Sequence, residues 1–315
     1  MTARVVAYGE VLWDHLPAGR RLGGAPLNLV HRLNGLGHKG LMISRLGRDD
    51  AGREARRVLQ AMGVDDRCVQ WDPAHPTGAV LVGFDARGVP DISIQPETAY
   101  DYIEPTPDAL AAARSADCLC FGTLAQRSSV SRATLARLLE TFGGRYRFAD
   151  LNLRKDCWSA ETVLATLDAA NVLKISEEEA LVVADLGGWT GTTVDGIASR
   201  LVRTGTVTHV AITLGPGGAL AITRGGRAVY APAFRVPVVD TLGCGDAFSA
   251  GFLHGLLCGW DLRRALRYGN AAGAAVAQQC GATEPLDTAA VDNMRDRGQA
   301  APSDPRFTDL LSPSH

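Results

Sequence analysis

The sequence predicts an α/β fold: a mostly parallel central sheet covered by helices on both faces, with a small second β-sheet projecting from it as a lid. Three observations carry that prediction. Short apolar runs of strand length alternate with runs whose apolar residues recur at helical spacing. Two segments, Glu10 to Gly24 and Thr77 to Tyr102, break the rhythm and read as extended or hairpin structure. Glycine-rich turns stand directly before two helix starts, where backbone N–H groups can face a ligand.

In chain order, Arg4 to Tyr8 reads as the first strand and Glu10 to Gly24 as lid. Leu22 to Asn28 then runs into Leu29-Val30-His31-Arg32-Leu33, a helix entry with Pro26 suited to its first turn. Strand Gly40 to Arg45 and helix Ala51 to Met62 follow, and Thr77 to Tyr102 is the second lid segment, with Asp85-Ala86-Arg87-Gly88 as its turn. Strands Asp117 to Phe121, Tyr146 to Leu151, Val172 to Ile175 and Val207 to Leu214 interleave with helices Val130 to Phe142, Glu177 to Ala184 and Val194 to Arg203. Asp246 to Cys258 and Asp261 to Gln278 are Ala-rich helices. No low-complexity linker or internal repeat divides the chain, so residues 1–315 read as a single α/β domain with a lid formed by residues 10–24 and 77–102.

With 32 Lys and Arg against 34 Asp and Glu, the net charge of −2 provides no footprint for nucleic acid or an anionic membrane, and any anionic ligand must be held locally. The first apolar run is too short for a secretory signal and later ones are interrupted before they could span a bilayer, so the expected setting is cytoplasmic. Seven cysteines without a Cys-x-x-Cys pair argue for reduced thiols rather than a disulfide framework or zinc knuckle. The seven histidines show no His-x-x-x-His pattern.

The richest segment is Asp240-Thr241-Leu242-Gly243-Cys244-Gly245-Asp246, which leads into the apolar helix Ala247 to Leu253. Two glycines flanking Cys244 before a helix start allow amides to point at an anion, and Asp246 places a carboxylate in the same turn. A phosphoryl cradle and a base side by side are what phosphoryl transfer needs from a protein, although a helix cap and a tight turn would look the same. Near the other end, the Gly23-Gly24 pair allows close backbone approach, Asn28 offers a donor and an acceptor, and Asp14 can accept two hydroxyl protons, the short polar side chains that a polyol site uses.

Gly23-Gly24-Ala25-Pro26-Leu27-Asn28 and Asp240 to Asp246 resemble the two signatures of the ribokinase (PfkB) family of sugar kinases. The stretches between them match in order. Gly47-Arg48-Asp49-Asp50-Ala51-Gly52 resembles the family's Gly-x-Asp-x-x-Gly block, Thr77-Gly78 the start of its lid strand, and Asp150-Leu151-Asn152-Leu153-Arg154 a fructokinase segment. Lys174 to Glu179 and Thr213 to Gly218 fill the remaining positions, so the likeness runs from about Val5 to about Thr283.

That resemblance implies a Rossmann-like ribokinase fold, usually dimeric, that transfers the γ-phosphoryl group of ATP to a sugar hydroxyl with Mg²⁺. It implies Asp246 as catalytic base, with the Gly243, Cys244 and Gly245 amides as anion hole, and Asp14, Gly24, Asn28 and Arg154 at the sugar. Lys174, Glu179, Thr213, Gly215, Gly218 and Asn270 fall at nucleotide positions, Glu179 also reaching Mg²⁺ through water. Asp240, Leu242, Gly281 and Ala282 resemble a monovalent-cation loop for K⁺. Two positions depart from the family pattern: Ser176 stands where asparagine is common, and Cys244 where alanine is. A carboxylate at a helix N-terminus is expected to be held ionised and hence weakly basic, so its orientation should matter more than its basicity. The expected substrate is D-fructose, phosphorylated at its terminal hydroxyl. 2-Keto-3-deoxygluconate is the alternative, because Arg154 could grip a carboxylate. A non-catalytic sugar- or nucleotide-binding protein is the alternative of another class, one expected to have lost the base.

Overall fold

The structure, a computed structural model, describes residues 2–16, 19–84, 90–279 and 286–311. The chain opens with strand β1 (Arg4–Tyr8), the lid strands β2 (Leu12–Leu16) and β3 (Gly19–Gly23), helix α1 (Ala25–Gly35), β4 (Lys39–Gly47), α2 (Asp50–Ala61) and β5 (Asp65–Asp72). Lid strands β6 (Gly78–Phe84) and β7 (Pro90–Ile94) follow, and then α3 (Pro107–Ser115), β8 (Cys118–Phe121), α4 (Ser129–Thr141), β9 (Tyr146–Asp150), α5 (Ala160–Ala169), β10 (Val172–Ser176), α6 (Glu177–Leu186), α7 (Val194–Arg203) and β11 (His209–Thr213). The chain closes with β12 (Ala219–Thr223), β13 (Ala228–Ala231), α8 (Cys244–Leu257), α9 (Leu262–Ala277) and α10 (Thr288–Arg297).

The main sheet runs β13-β12-β11-β10-β9-β8-β1-β4-β5. Every pair from β11 to β5 is parallel, while β12 and β13 add antiparallel at one edge. Burial on both faces explains the strands' unbroken apolar runs. In β1, Val6 and Tyr8 join the core that holds Leu119, Leu135 and Leu173, whereas Val5 and Ala7 join the one formed with Leu27 and Leu33 of α1 and Phe252 of α8.

The lid is a separate four-stranded sheet in the order β3-β2-β6-β7, with β2 and β6 parallel. The expected lid turn at residues 85–88 lies outside the described residues. The expected second lid segment runs too far: Ala99–Tyr102 form a 3₁₀ turn, and Tyr100 is fully buried in the main core.

The Gly47 to Gly52 block fastens lid to body. Asp49 caps α2 by accepting from Gly52 N at 2.7 Å, and it also accepts from Thr77 N and Thr77 Oγ1, at 2.8 and 2.7 Å, just before β6. A Cβ on Gly52 would lie 2.1 Å from Gly47 O, and one on Gly47 would lie 2.6 Å from Thr77 N, so both positions require glycine.

Candidate active site

The site forms at the carboxyl ends of the parallel strands, where α1 and α8 begin. A cavity there is lined by Glu10, Pro26, Phe121, Asp150, Asn152 and Asp246, residues from five separate stretches of chain. At its α1 end the backbone is shaped to take a carboxylate. A Cβ on Gly23 would lie 2.3 Å from Asp14 Oδ2, so the missing side chain is the space that the Asp14 carboxylate occupies across the β2/β3 pair. Gly24, the N-cap of α1, has φ of 118°, and a Cβ there would strike Glu10 O at 2.4 Å. Glu10 itself is buried and accepts from Ala25 N at 3.2 Å, holding the first turn of the helix.

These acids share a crowded, dry corner. Burial pushes the Glu10 carboxyl up to about 7 and that of Asp14 up to about 6; Arg154 opposes both shifts and Asp246 reinforces them. Arg154, itself exposed, therefore stands close enough to act electrostatically on Glu10 and Asp14. The chain brings it there through Asn152, which turns at φ of 44°, a left-handed conformation that asparagine tolerates.

Helix α8 begins at Cys244, two residues earlier than the sequence suggests, with Gly243 as N-cap in the left-handed region at φ of 75°. Gly245 and Asp246 therefore lie within the first turn, where helical N–H groups have no carbonyl four residues back in the helix. The Cys244 amide donates to Thr241 O at 3.2 Å. Asp246 Oδ2 accepts from Asn28 Nδ2 at 2.7 Å, joining the two glycine-marked helix starts across 218 residues of sequence. The other amide atom, Asn28 Oδ1, is buried with no hydrogen-bond partner among the described residues, and so is an acceptor that awaits a hydroxyl. Burial raises the Asp246 carboxyl above its ordinary value, against the pull of Arg32 and the Asn28 hydrogen bond. This corrects the expectation of a weak base: burial is the largest influence on the carboxyl and makes Asp246 more basic than an ordinary aspartate.

Behind Asp246, the Lys174 Nζ of β10 donates to Asp150 Oδ1 at 3.1 Å, while Ser249 Oγ of α8 donates to Asp150 Oδ2 at 2.9 Å. Burial works against the Lys174 charge, but Asp150 and Glu179 hold its ammonium above the usual range. A Cβ on Gly245 would lie 3.3 Å from Lys174 Nζ, which places this cation against the first turn of α8, next to the expected anion hole.

Ser176 and Glu179 form a capping box at the start of α6. Glu179 Oε2 accepts from Ser176 N, and Oε1 accepts from Leu153 N, both at 2.7 Å. With both oxygens engaged, the carboxylate suits a Mg²⁺ ion held through water better than one bound directly.

Four of the expected nucleotide positions, Thr213, Gly215, Gly218 and Asn270, gather toward the β11–β13 edge of the sheet. Thr213 ends β11, and Gly215–Gly217 form a 3₁₀ turn closed by Gly218 at φ of 95°. A Cβ on Gly218 would lie 2.2 Å from Ala231 O. Asn270 Nδ2 of α9 donates to Ala231 O and Pro232 O at 2.9 and 3.1 Å, fixing the end of β13 next to that turn. In the cation loop, Asp240 Oδ1 accepts from Leu242 N at 2.9 Å; Gly281 and Ala282 lie outside the described residues.

Sequence reasoning missed the site roles of Glu10, Arg32, Asp150 and Ser249. Arg32 is 1% exposed, donates to Gly243 O at 3.2 Å and acts on Asp246. A cation on the apolar face of α1 was the signal for it. One further cluster lies at the opposite end of α8, where ligand atoms of His38, His254 and Cys258 come within 4.8 Å of one another. Ala3 N donates to His38 Nδ1 at 3.2 Å, which leaves the proton on Nε2 to be donated to His254 Nδ1 at 2.9 Å. The cluster is thus satisfied as a chain of hydrogen bonds between neutral rings.

The profile of the pfkB family carbohydrate kinase matches residues 17–289. A fructokinase of Klebsiella pneumoniae is 33% identical over 268 residues, 81% of this chain and 85% of the relative. A 2-dehydro-3-deoxygalactonokinase of Haloferax volcanii is 29% identical over 87% of this chain and 91% of the relative. The crystal structure of a Vibrio cholerae fructokinase in its fructose-, ADP- and calcium-bound form superposes with a TM-score of 0.77 at 26% identity, covering 92% of this chain and 98% of the other.

Proposed function

Given that this chain belongs to the pfkB family of carbohydrate kinases, we propose that it transfers the γ-phosphoryl group of ATP to the terminal hydroxyl of D-fructose, with Asp246 as the base. The Asn28–Asp246 contact carries this reading, because it sets an unpartnered acceptor beside a basic carboxylate that lines the cavity. A hydroxyl donating to Asn28 Oδ1 or Asp14 would bring its neighbour within reach of Asp246. The first-turn amides of α8 and the Lys174 ammonium would then meet the charge on the transferring phosphoryl group. In a loose transition state the proton leaves late, so Asp246 acts mainly by holding the hydroxyl in line. Bound with the nucleotide and held through water by Glu179, Mg²⁺ would neutralise phosphate charge. The four lid strands would exclude water over the sugar.

A neutral sugar fits better than an acid one. Glu10, Asp150 and Asp246 line the cavity, and Asp14 feels the Asp246 charge, so a substrate carboxylate would meet several acids where Arg154 is the cation that acts on both Glu10 and Asp14. The second reading, a 2-keto-3-deoxy sugar acid, rests on Arg154 and on the likeness to the Haloferax volcanii enzyme. An ADP-release assay with fructose, 2-keto-3-deoxygluconate, ribose and adenosine decides between them. Fructose should give the highest kcat/KM; the acid ranking first would reverse the assignment, and no ADP release with any sugar would point to a binding protein.

A further inference from the structure

Residues 290–311 lie beyond the stretch that the family profile matches, yet they return to the nucleotide end of the sheet. Arg235 N donates to Gln299 O and Ala301 N to Ala233 O, at 2.9 and 2.8 Å, seating the returning chain beside the segment that leaves β13. A 3₁₀ turn at Pro305–Leu310 follows, its Phe307 buried with the ring 5.6 Å from that of Tyr230.

Tyr230 is the joint. Its hydroxyl donates to Gly217 O at 2.6 Å and accepts from Asp304 N at 2.8 Å. The Asp304 carboxylate stands beside the same glycine, 3.6 Å from where a Gly217 Cβ would be. Arg306 donates to Asp304 Oδ2 at 2.7 Å and pairs with both carboxylate oxygens of Glu177, the first residue of α6. One short segment thereby ties the 215–217 turn, which holds Gly215 and is flanked by Thr213 and Gly218, to the start of α6, which carries Glu179.

We propose that residues 304–307 are a strap that positions the nucleotide loop, with Tyr230, Asp304 and Arg306 as positioning residues for ATP; this rests on the assignment of Thr213 to Gly218 to the nucleotide. A turn with glycines at φ of 55° and 95° is inherently loose, and a loop ordered beforehand binds its ligand at lower entropic cost. Arg306 is itself about half exposed, so its pairs add little to global stability, and their removal should leave the fold intact.

The test uses full-length Tyr230→Phe and Arg306→Gln, with equilibrium binding of a non-hydrolysable ATP analogue and separate KM values for ATP and fructose. Nucleotide Kd and KM for ATP should rise about three- to tenfold, the scale of one lost hydrogen bond, while kcat and KM for fructose stay within about twofold. Unchanged nucleotide affinity in both variants, or a parallel rise in KM for fructose, would overturn the strap. Gly215→Val separates the two layers of the reading. Should it weaken nucleotide binding where Tyr230→Phe and Arg306→Gln do not, the loop assignment stands and the strap falls; should it too have no effect, both fall.

Discussion

The two halves of the site are built on opposite principles. At the proposed sugar end, Asn28 Oδ1 is unsatisfied among the described residues, and Glu10, Asp14 and Asp246 sit where burial raises their carboxyls. At the nucleotide end, side chains are engaged with the backbone, Asn270 on Ala231 and Pro232, Glu179 on Leu153 and Ser176, Tyr230 on Gly217. On the proposed assignment, the sugar half would read its ligand with side-chain chemistry, and the nucleotide half with a backbone shape that side chains hold. Substitutions should divide along the same line, changing sugar recognition and turnover on one side and nucleotide affinity or stability on the other.

The largest expected effect is at Asp246. Asp246→Asn should keep the fold and the nucleotide affinity but lower turnover by about 10²–10⁴-fold, the range for a positioned base. Steady-state rates measure it, and a loss below about tenfold would remove Asp246 from that role.

Next in size is the pair behind it. Lys174→Met leaves Asp150 buried with only Ser249 as a side-chain donor. Removing one member of a buried pair costs about 3–5 kcal/mol, so the variant should melt well below the wild type. A Tm within about two degrees of wild type would show that the pair contributes little to stability.

A smaller effect follows from ionisation. The Glu10 and Asp14 carboxyls, raised to about 7 and about 6, bind more protons folded than unfolded in the acid range. Stability without sugar should fall as pH rises from about 4 toward 7, the sign set by excess protons on the folded state. Sugar binding should move the other way, because ionised Asp14 is the better acceptor of hydroxyls. Fructose Kd should improve about tenfold from pH 5 to pH 7.5 in the wild type and much less in Asp14→Asn. Calorimetry at the two pH values tests this, and an equal improvement in the variant would locate the titration elsewhere.

The smallest expected effect is at Cys244. Its Sγ stands 3.8 Å from Asp240 O, and the proposed anion hole would use main-chain amides, so Cys244→Ala should change kcat/KM by less than about twofold. A larger loss would give the thiol a part in the site.

The same contrast governs how much could be read from sequence. The parallel core was legible because its strands are apolar on both faces, and α7 matches its expected bounds, Val194–Arg203. β5 was missed because Asp65, Asp66, Arg67 and Asp72 load this edge strand with charge, which guards a sheet edge but hides the apolar signal. β12 and β13 were missed because a parallel rhythm gives no warning of an antiparallel hairpin. The short helices α3 and α5 are signalled by their caps, Thr106 and Ser159, more than by periodicity. Within the site, glycines and the residues next to them stood out, since a turn or close approach constrains sequence locally. Asp150, Arg32 and Ser249 did not, because each matters through a partner far away in the chain, as Ser249 does for Asp150, 99 residues distant.

Direct competition tests the central claim, that an acid-lined pocket feeds a neutral ketose to Asp246. Equimolar fructose and 2-keto-3-deoxygluconate are incubated with limiting ATP, and the products are separated, so that their ratio is the ratio of kcat/KM. Fructose 6-phosphate should dominate by about tenfold or more, with one ADP per sugar phosphate. A product pool dominated by the phosphorylated acid would contradict it.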